Sequence, residues 1–151
     1  MITIRKAKQD EWAIIASFQQ AMALETEKIQ LDLSTLEQGI KAVFKDTSKG
    51  CYYVAASDQQ IIGTLMITYE WSDWRNRTVY WIQSVYVHPN HRRKGVYRQL
   101  YAYIQTLAAE NDTIGGVRLY VDKTNQNAIK TYESLGMNGE HYQLFEWMKS
   151  F

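Results

Sequence analysis

The feature that most constrains the fold is a strand, a helix and a second strand in succession between residues 78 and 121. Thr78–Val87 is rich in β-branched and aromatic residues, and the chain's one proline, Pro89, ends it. From Gly95 onward apolar residues recur at helical spacing, and Val117–Val121 has the composition of a buried strand. Such a crossover joins parallel strands with a right-handed connection. The sequence therefore predicts a parallel strand pair covered by a helix.

The rest of the chain supplies further strands and helices in a regular order. The pattern predicts a strand at Ile2–Ile4, a helix from Asp10, and a second helix that begins with a capping box of Ser34 and Glu37. Strands follow at Cys51–Ser57 and Ile61–Tyr69, and then a connector at Glu70–Arg77. After the crossover we expect a helix at Asn125–Leu135, ended by Gly136, and a last strand at Tyr142–Met148. Three consecutive strands suggest an antiparallel meander. The predicted fold class is α/β: a mixed central sheet, first an antiparallel meander and then a parallel crossover, with helices on both faces of a single domain, residues 1–151.

Composition and charge exclude several classes of function. The formal net charge is only +1, so no overall field attracts nucleic acid or an anionic membrane. Cys51 is the one cysteine, which excludes an intramolecular disulfide, and His88 and His91 have no third ligand nearby, so no metal is expected. The chain shows neither the apolar region of a signal peptide nor a bilayer-length apolar run, and we expect a cytoplasmic protein.

The most informative segment is the short basic loop between the strand and its helix. The first amides of a helix have no intrahelical acceptor and lie at the positive end of its dipole, so phosphate binds well there. Gly95 lets the backbone approach an anion without a Cβ in the way. The residues predicted to bind a cofactor pyrophosphate are Arg92, Arg93, Lys94, Gly95, Val96, Tyr97 and Arg98. Taken alone, the segment also fits a solvated basic turn with a glycine bend.

Two segments resemble motifs of the GNAT acetyltransferase superfamily. Arg92–Tyr97 is similar to the family's Arg/Gln-x-x-Gly-x-Gly/Ala loop, with Tyr97 in place of the usual small residue. Asn125–Met137 is similar to its Asn-x-x-Ala-x-x-x-Tyr-x-x-x-Gly-Phe segment. The order of elements also matches along essentially the whole chain. The resemblance implies the acyl-CoA N-acyltransferase (GNAT) fold, acetyl-CoA as cofactor, and a homodimer, since dimers are common in the family.

The resemblance also implies roles for individual residues. The strand Val85, Tyr86 and Val87 would pair with pantetheine through backbone groups, and the Val87 amide would polarise the thioester carbonyl. Asn125 would contact the cofactor, with Asn127 in the same site, and the Tyr132 hydroxyl would protonate the departing thiolate. Without the resemblance, Tyr132 fits plain core packing, because it shares an apolar helix face with its neighbours.

The general base is not evident from the sequence. Gln83 stands where many relatives place a glutamate that acts through water, and glutamine cannot accept a proton at neutral pH. The remaining candidates are Glu25, Glu27, Glu70 and Asp73, each of which also fits a solvated surface charge. A route in which water and backbone carbonyls remove the proton stays open.

The Trp-rich connector bears on the choice of substrate. It loosely resembles the corresponding hairpin of the polyamine and diamine acetyltransferases, and Trp74 with Glu70 would form an aromatic and acidic cage for an alkylammonium group. It fits an aromatic-capped hairpin or a dimer contact equally well. The predicted substrate site comprises Glu25, Glu27, Glu70, Trp74 and Gln83.

These observations favour an N-acetyltransferase that acts on a primary amine of a small molecule. A non-catalytic acyl-CoA-binding or sensing domain stays open because of Gln83, and so does a protein N-acetyltransferase. A nucleic-acid-binding module is disfavoured, because the basic cluster is single and small.

Overall fold

The structure is a computed structural model that describes residues 1–150. The chain forms two compact units, one from Met1 to Leu119 and a second that begins at Tyr120. The elements of the first unit are β1 (Thr3–Lys6), α1 (Trp12–Glu27), α2 (Leu33–Lys45), β2 (Cys51–Ser57), β3 (Gln60–Ser72), β4 (Arg77–Val87), α3 (Val96–Ala109) and β5 (Ile114–Leu119), with short 3-10 helices at Gln9–Glu11 and Pro89–His91. The second unit contains α4 (Gln126–Ser134).

The five strands form one sheet in the order β1-β2-β3-β4-β5. Neighbours from β1 to β4 are antiparallel, and β4 pairs with β5 in parallel, from Thr78 opposite Ile114 to Ile82 opposite Leu119. The connection from β4 to β5 passes through α3. The predicted mixed sheet, a meander followed by a parallel crossover, is therefore confirmed.

Helices cover both faces of the sheet. On one face Tyr52 of β2 packs in a buried cluster with Ile15 of α1 and Ile40 of α2. Successive side chains of a strand point to opposite faces. The next residue, Tyr53, accordingly meets α3, where the ring centroids of Tyr53 and Tyr103 lie 5.7 Å apart. This arrangement confirms the predicted layers.

The start of α3 rests directly on β3 at a glycine. A Cβ atom placed on Gly63 would lie 3.2 Å from the Tyr86 carbonyl oxygen and 3.2 Å from Cγ1 of Val96. Leu100, one turn further along α3, would also be in contact, at 3.5 Å. The close approach of helix and sheet at this point thus depends on the missing side chain.

Two sequence expectations about local structure are wrong. Tyr142–Met148 forms no strand, and its large apolar side chains are exposed. The segment has the composition of a strand, but a strand needs a partner, and as far as residue 150 the second unit contains none. The cap of α2 is Asp32, whose Oδ2 accepts the Thr35 amide at 2.8 Å, and Ser34 is already inside the helix.

One ion pair joins the end of β1 to the turn before α1. Arg5 donates two hydrogen bonds to the Glu11 carboxylate, at 3.0 and 2.6 Å, and the Lys8 amide donates a third, at 2.7 Å. The hydrogen bonds from Arg5 hold the pKa of Glu11 below its ordinary value, although partial burial opposes this.

We expect Glu11→Gln to lower the free energy of unfolding by about 1 kcal/mol at pH 7, since charge-assisted bonds are lost. A carboxyl whose pKa is depressed by folding stabilises above its unfolded pKa, and that contribution disappears as the pH falls through the folded value. Urea unfolding at pH 7 and pH 3 should therefore show a difference that shrinks at low pH. The control is Glu37→Gln, which breaks a more exposed pair with Lys41 and should cost at most about 0.5 kcal/mol. Equal losses for the two variants would contradict the assignment.

Candidate functional site

A β-bulge interrupts β4 near its end. Met66 of β3 faces Gln83, whereas Thr64 faces Tyr86, so Ser84 and Val85 together oppose a single residue of β3. Ser84 has a left-handed φ of 56°. Its carbonyl oxygen accepts a hydrogen bond from Nε2 of the buried Gln19 in α1, at 3.2 Å. The bulge is thus held by a side chain from a helix packed against the sheet.

Beyond this bulge, the edge of β4 that faces β5 is not paired with any strand of the first unit. The parallel pairing with β5 ends at Ile82. On the other side of β4, the His88 amide donates to the Ile62 carbonyl of β3 at 2.8 Å. Because strand backbone groups alternate in direction, the N–H and C=O of Val87 point away from β3. Val87 therefore presents its backbone groups to the side on which β5 has separated.

The loop after β4 has the backbone of an anion-binding turn. Arg93 and Gly95 have left-handed φ values of 61° and 79°, and Gly95 is the N-cap of α3. The Gln99 amide donates to the Gly95 carbonyl at 3.0 Å as the helix begins. The amides of residues 96–98 come before that bond, so they point out of the positive end of the helix. Consecutive amides in turns of this kind form concave sites for anions.

The space around Gly95 is open, and cationic side chains surround it. A Cβ at Gly95 would have no atom within 4 Å. Arg93, Lys94 and Arg98 are exposed on the loop and the first turn of α3, and Lys94 Nζ donates to the Asn90 carbonyl at 3.1 Å. Oriented amides, open space and three cations are the donor set that a diphosphate requires. The residues here fit the phosphate end of a coenzyme A thioester.

Arg92, at the first position of the predicted motif, contacts protein groups. Its Nε donates to the Val87 carbonyl at 2.9 Å, and its Nη2 donates to Glu25 at 2.8 Å. The guanidinium carbon lies 5.2 Å from the centre of the Tyr86 ring. The Tyr86 hydroxyl also donates to Glu25, at 2.9 Å. Sequence reasoning missed this cluster, because Glu25 lies more than 60 residues from both Tyr86 and Arg92 and no local pattern connects them.

Two of the candidate bases are held as ionised partners. Partial burial alone would raise the pKa of Glu25, but the hydrogen bonds from Arg92 and Tyr86 outweigh it and lower the pKa. Hydrogen bonds from Trp81 Nε1, at 2.9 Å, and Arg118 Nη1, at 2.7 Å, likewise lower the pKa of Glu70. Lower pKa values make both carboxylates weaker proton acceptors.

The other predicted substrate residues lie at three separate places. Trp74 lies in the turn between β3 and β4 and is 91% exposed. Gln83 is half-buried in β4, directly before the bulge, and Glu27 is the exposed last residue of α1. Asp73, also in the hairpin turn, accepts the Trp74 amide at 2.9 Å.

In the second unit, α4 is capped at both ends, and its end at Gly136 agrees with the sequence prediction. The Asn125 side chain accepts the Ala128 amide at 3.2 Å and so begins the helix. Gly136, with φ 84°, ends it, and the Met137 amide donates to the Tyr132 carbonyl at 3.1 Å. Tyr132 lies in the last turn of α4 and Asn127 in the first.

Among residues 1–150 no group of three or more His, Cys, Asp or Glu side chains is arranged to hold a metal ion. None of the described helices is both long and apolar enough to span a membrane.

Comparison with known proteins gives consistent matches. The model of the acetyltransferase (GNAT) family matches residues 12–137. A possible acetyltransferase from Clostridium difficile 630 is 43% identical with a TM-score of 0.92, and the match covers 100% of this chain and 99% of that one. None of the curated proteins compared matches the chain.

More distant structures share the fold. A predicted acetyltransferase with acetyl-CoA from Clostridium acetobutylicum is 18% identical, with a TM-score of 0.75 and coverage of 97% of this chain and 96% of that one. A ribosomal-protein-alanine N-acetyltransferase from Brucella melitensis is 14% identical, with a TM-score of 0.79 and coverage of 99% and 100%.

Proposed function

The chain belongs to the acetyltransferase (GNAT) family, and on this premise we propose that it transfers the acetyl group of acetyl-CoA to a primary amine of a small molecule. The amine attacks the thioester directly, in a complex that holds both reactants. The observation that carries the proposal is the open edge of β4 beside the loop at Arg93–Gly95. The edge offers peptide groups to a chain of amides, and the loop offers oriented N–H groups to a diphosphate.

The strand edge and the loop are proposed to bind different parts of the cofactor. Val85, Tyr86 and Val87 form the strand that pairs with the pantetheine arm. The loop amides, with Arg93, Lys94 and Arg98, neutralise the phosphates. Acetyl-CoA, when bound, supplies the activated acetyl group as a thioester. The Val87 N–H, which points away from β3, donates to the carbonyl oxygen and stabilises the charge that develops there during attack.

The second motif supplies the acid. By the resemblance of the segment Asn125–Met137, Tyr132 donates a proton to the thiolate as it leaves, and Asn125 and Asn127 bind the cofactor. The Asn125 side-chain oxygen already caps α4, so the contact would come from its amide nitrogen, which can donate two hydrogen bonds.

Proton removal from the amine is assigned to water and backbone carbonyls. Hydrogen bonds stabilise the ionised forms of both candidate carboxylates. Glu25 accepts them from Arg92 and Tyr86, and Glu70 accepts them from Trp81 and Arg118. Gln83 carries no basic group. We assign Glu27, at the end of α1, and Asp73, in the hairpin turn, to the attraction of the cationic amine substrate. Trp74, at the tip of the same hairpin, would contact the amine through its ring.

We expect Gln83→Glu to raise kcat/KM for the best amine by about tenfold at pH 8, because a carboxylate would then act through water as a base. The gain should disappear as the pH falls below about 5, where the new carboxyl becomes protonated. Initial rates of thiol release measure it, with Gln83→Ala as the control that removes the amide without adding a base. Unchanged rates in both variants would place position 83 away from the reacting amine.

The activity itself is tested by incubating the protein with acetyl-CoA and a panel of primary amines. Diamines, amino sugars, amino acids and a peptide with a free N-terminus should be included, and free thiol should be measured. We expect turnover with a small amine. CoA binding without thiol release would favour an acyl-CoA sensor, which the glutamine at position 83 also suggests. Preferential turnover of the peptide would identify a protein acetyltransferase.

We further propose that residues 1–151 act as a single acetyltransferase domain, in the cytoplasm and as a homodimer. The one cysteine, Cys51, has no disulfide partner and suits a reducing compartment. The homodimer is inferred from the family resemblance. Light scattering of the purified protein tests it directly.

A further inference from the structure

We propose that Glu25 and Arg92 are positioning residues that hold the anion-binding loop against α1, and that the Arg92 side chain supports the loop instead of binding the diphosphate. The inference rests on the proposed function, because it concerns the same loop. It departs from the expectation that every cation of the loop faces the phosphates.

The first argument is the set of contacts that Arg92 makes. The guanidinium donates through Nε to the Val87 carbonyl and through Nη2 to Glu25, and it lies against the Tyr86 ring. All three partners lie on β4 or α1. A rigid planar fork in this position fixes the direction of the chain where it leaves β4. The left-handed Arg93 follows immediately, so the turn that presents the amides starts from a fixed residue.

The second argument is that α1 holds β4 and the loop at several points. Gln19 donates to the Ser84 carbonyl in the bulge, and Glu25 binds Tyr86 and Arg92. The Phe18 ring lies 5.2 Å from that of Tyr86. These residues span only two turns of one helix. A single helix therefore stabilises both the bulge that frees the strand edge and the residue that begins the loop.

The third argument is electrostatic. Glu25 compensates the charge of Arg92 at 2.8 Å, with both side chains about 40% exposed. Positive charge for a diphosphate is then supplied by the other exposed cations of the loop, such as Arg93 and Lys94. A diphosphate gains little from a guanidinium whose charge a carboxylate already balances.

The two roles of Arg92 predict opposite effects of removing Glu25. If Arg92 binds phosphate, Glu25→Ala removes a negative charge near a polyanion, frees a cation, and strengthens CoA binding. If Arg92 supports the loop, the same change loosens the loop and weakens CoA binding although a repulsive charge is gone. The direction of the change thus separates the roles without depending on its size.

The experiment is calorimetry of CoA binding to the wild type, Glu25→Ala, Arg92→Ala and the double variant. We expect each single variant to bind CoA about fivefold more weakly than the wild type. The double variant should bind no more weakly than either single variant, because all three variants break the same contact between Glu25 and Arg92. Arg92→Lys should not rescue binding, since an ammonium keeps the charge but loses the fork. Glu110→Ala removes an exposed carboxylate at the far end of α3 and serves as the charge control.

Tighter binding by Glu25→Ala, or rescue by Arg92→Lys, would overturn the inference and leave the proposed function standing. A wild type that binds no CoA would instead remove the proposed function. The positioning role is then decided on the free protein, by hydrogen exchange of the hydrogen-bonded amides on either side of the turn, those of Arg92 and Gln99. These amides should exchange faster in Glu25→Ala and in the milder Glu25→Gln than in the wild type. Unchanged exchange would refute the role.

Discussion

Glutamate at position 95 is expected to abolish CoA binding in a protein that still folds. Gly95 has a left-handed φ of 79°, so any side chain costs about 1 kcal/mol, yet an added Cβ meets no atom within 4 Å. The folded state should therefore tolerate the substitution. The space that is open in the protein is the space assigned to the diphosphate, and a carboxylate there adds bulk and a like charge. Affinity should fall at least about a hundredfold.

The measurement is calorimetry with CoA, with thermal unfolding measured in parallel. Gly95→Ala is the graded variant, because it adds the backbone strain and a methyl group without the charge, and its affinity should lie between the two extremes. Gly136→Glu is the matched control for stability, since Gly136 is also left-handed, with φ 84°, and also has open space at Cβ. The two glutamate variants should lose similar stability. CoA binding by Gly95→Glu at wild-type strength would show that the phosphates lie elsewhere.

The second large effect is expected for Tyr132→Phe, with a loss of about a hundredfold in kcat and little change in the KM for acetyl-CoA. The substitution removes only the hydroxyl, which we assign as the proton donor to the leaving thiolate, and keeps the ring in the last turn of α4. Initial rates of thiol release at varied acetyl-CoA concentrations separate the two parameters.

The control is Tyr69→Phe, which removes the hydroxyl of a tyrosine on β3 that carries no assigned role. This variant should turn over at the wild-type rate. Normal turnover by Tyr132→Phe with the best amine would show that the thiolate leaves without its help. A rise in KM with unchanged kcat would instead make Tyr132 a binding residue.

The parts of the fold that the sequence predicts well are those encoded by local patterns. The β-branched run at Thr78–Val87, the proline that ends it and the helical spacing after Gly95 each act within about ten residues, and the structure contains β4, the loop and α3 at those places. The strand order follows because a meander and a right-handed crossover leave few alternatives. The left-handed Gly136 after α4 was also predictable, because its neighbours set the end of the helix.

What the sequence does not reveal depends on partners that are distant along the chain. The left-handed bulge at Ser84 reflects a shift in pairing with β3, and nothing about serine marks it. From the sequence alone Glu25 is a candidate base. Its bonds to Tyr86 and Arg92 span more than 60 residues, so no local pattern reveals that it is already an ionised partner. Tyr142–Met148 was misassigned for the same reason, since strand composition does not supply a neighbouring strand.

Gly63 also limits which sequences can keep this loop in place. A methyl group there would require both the Tyr86 carbonyl and the Val96 side chain, each at 3.2 Å, to move by a few tenths of an ångström, and a larger side chain would displace the start of α3. Position 63 should thus be restricted to the smallest residues, even though it lies outside the motif that identifies the family. When orthologues are sorted into active and inactive, a larger residue at this remote site would be an early sign of lost activity, before any change in the loop itself.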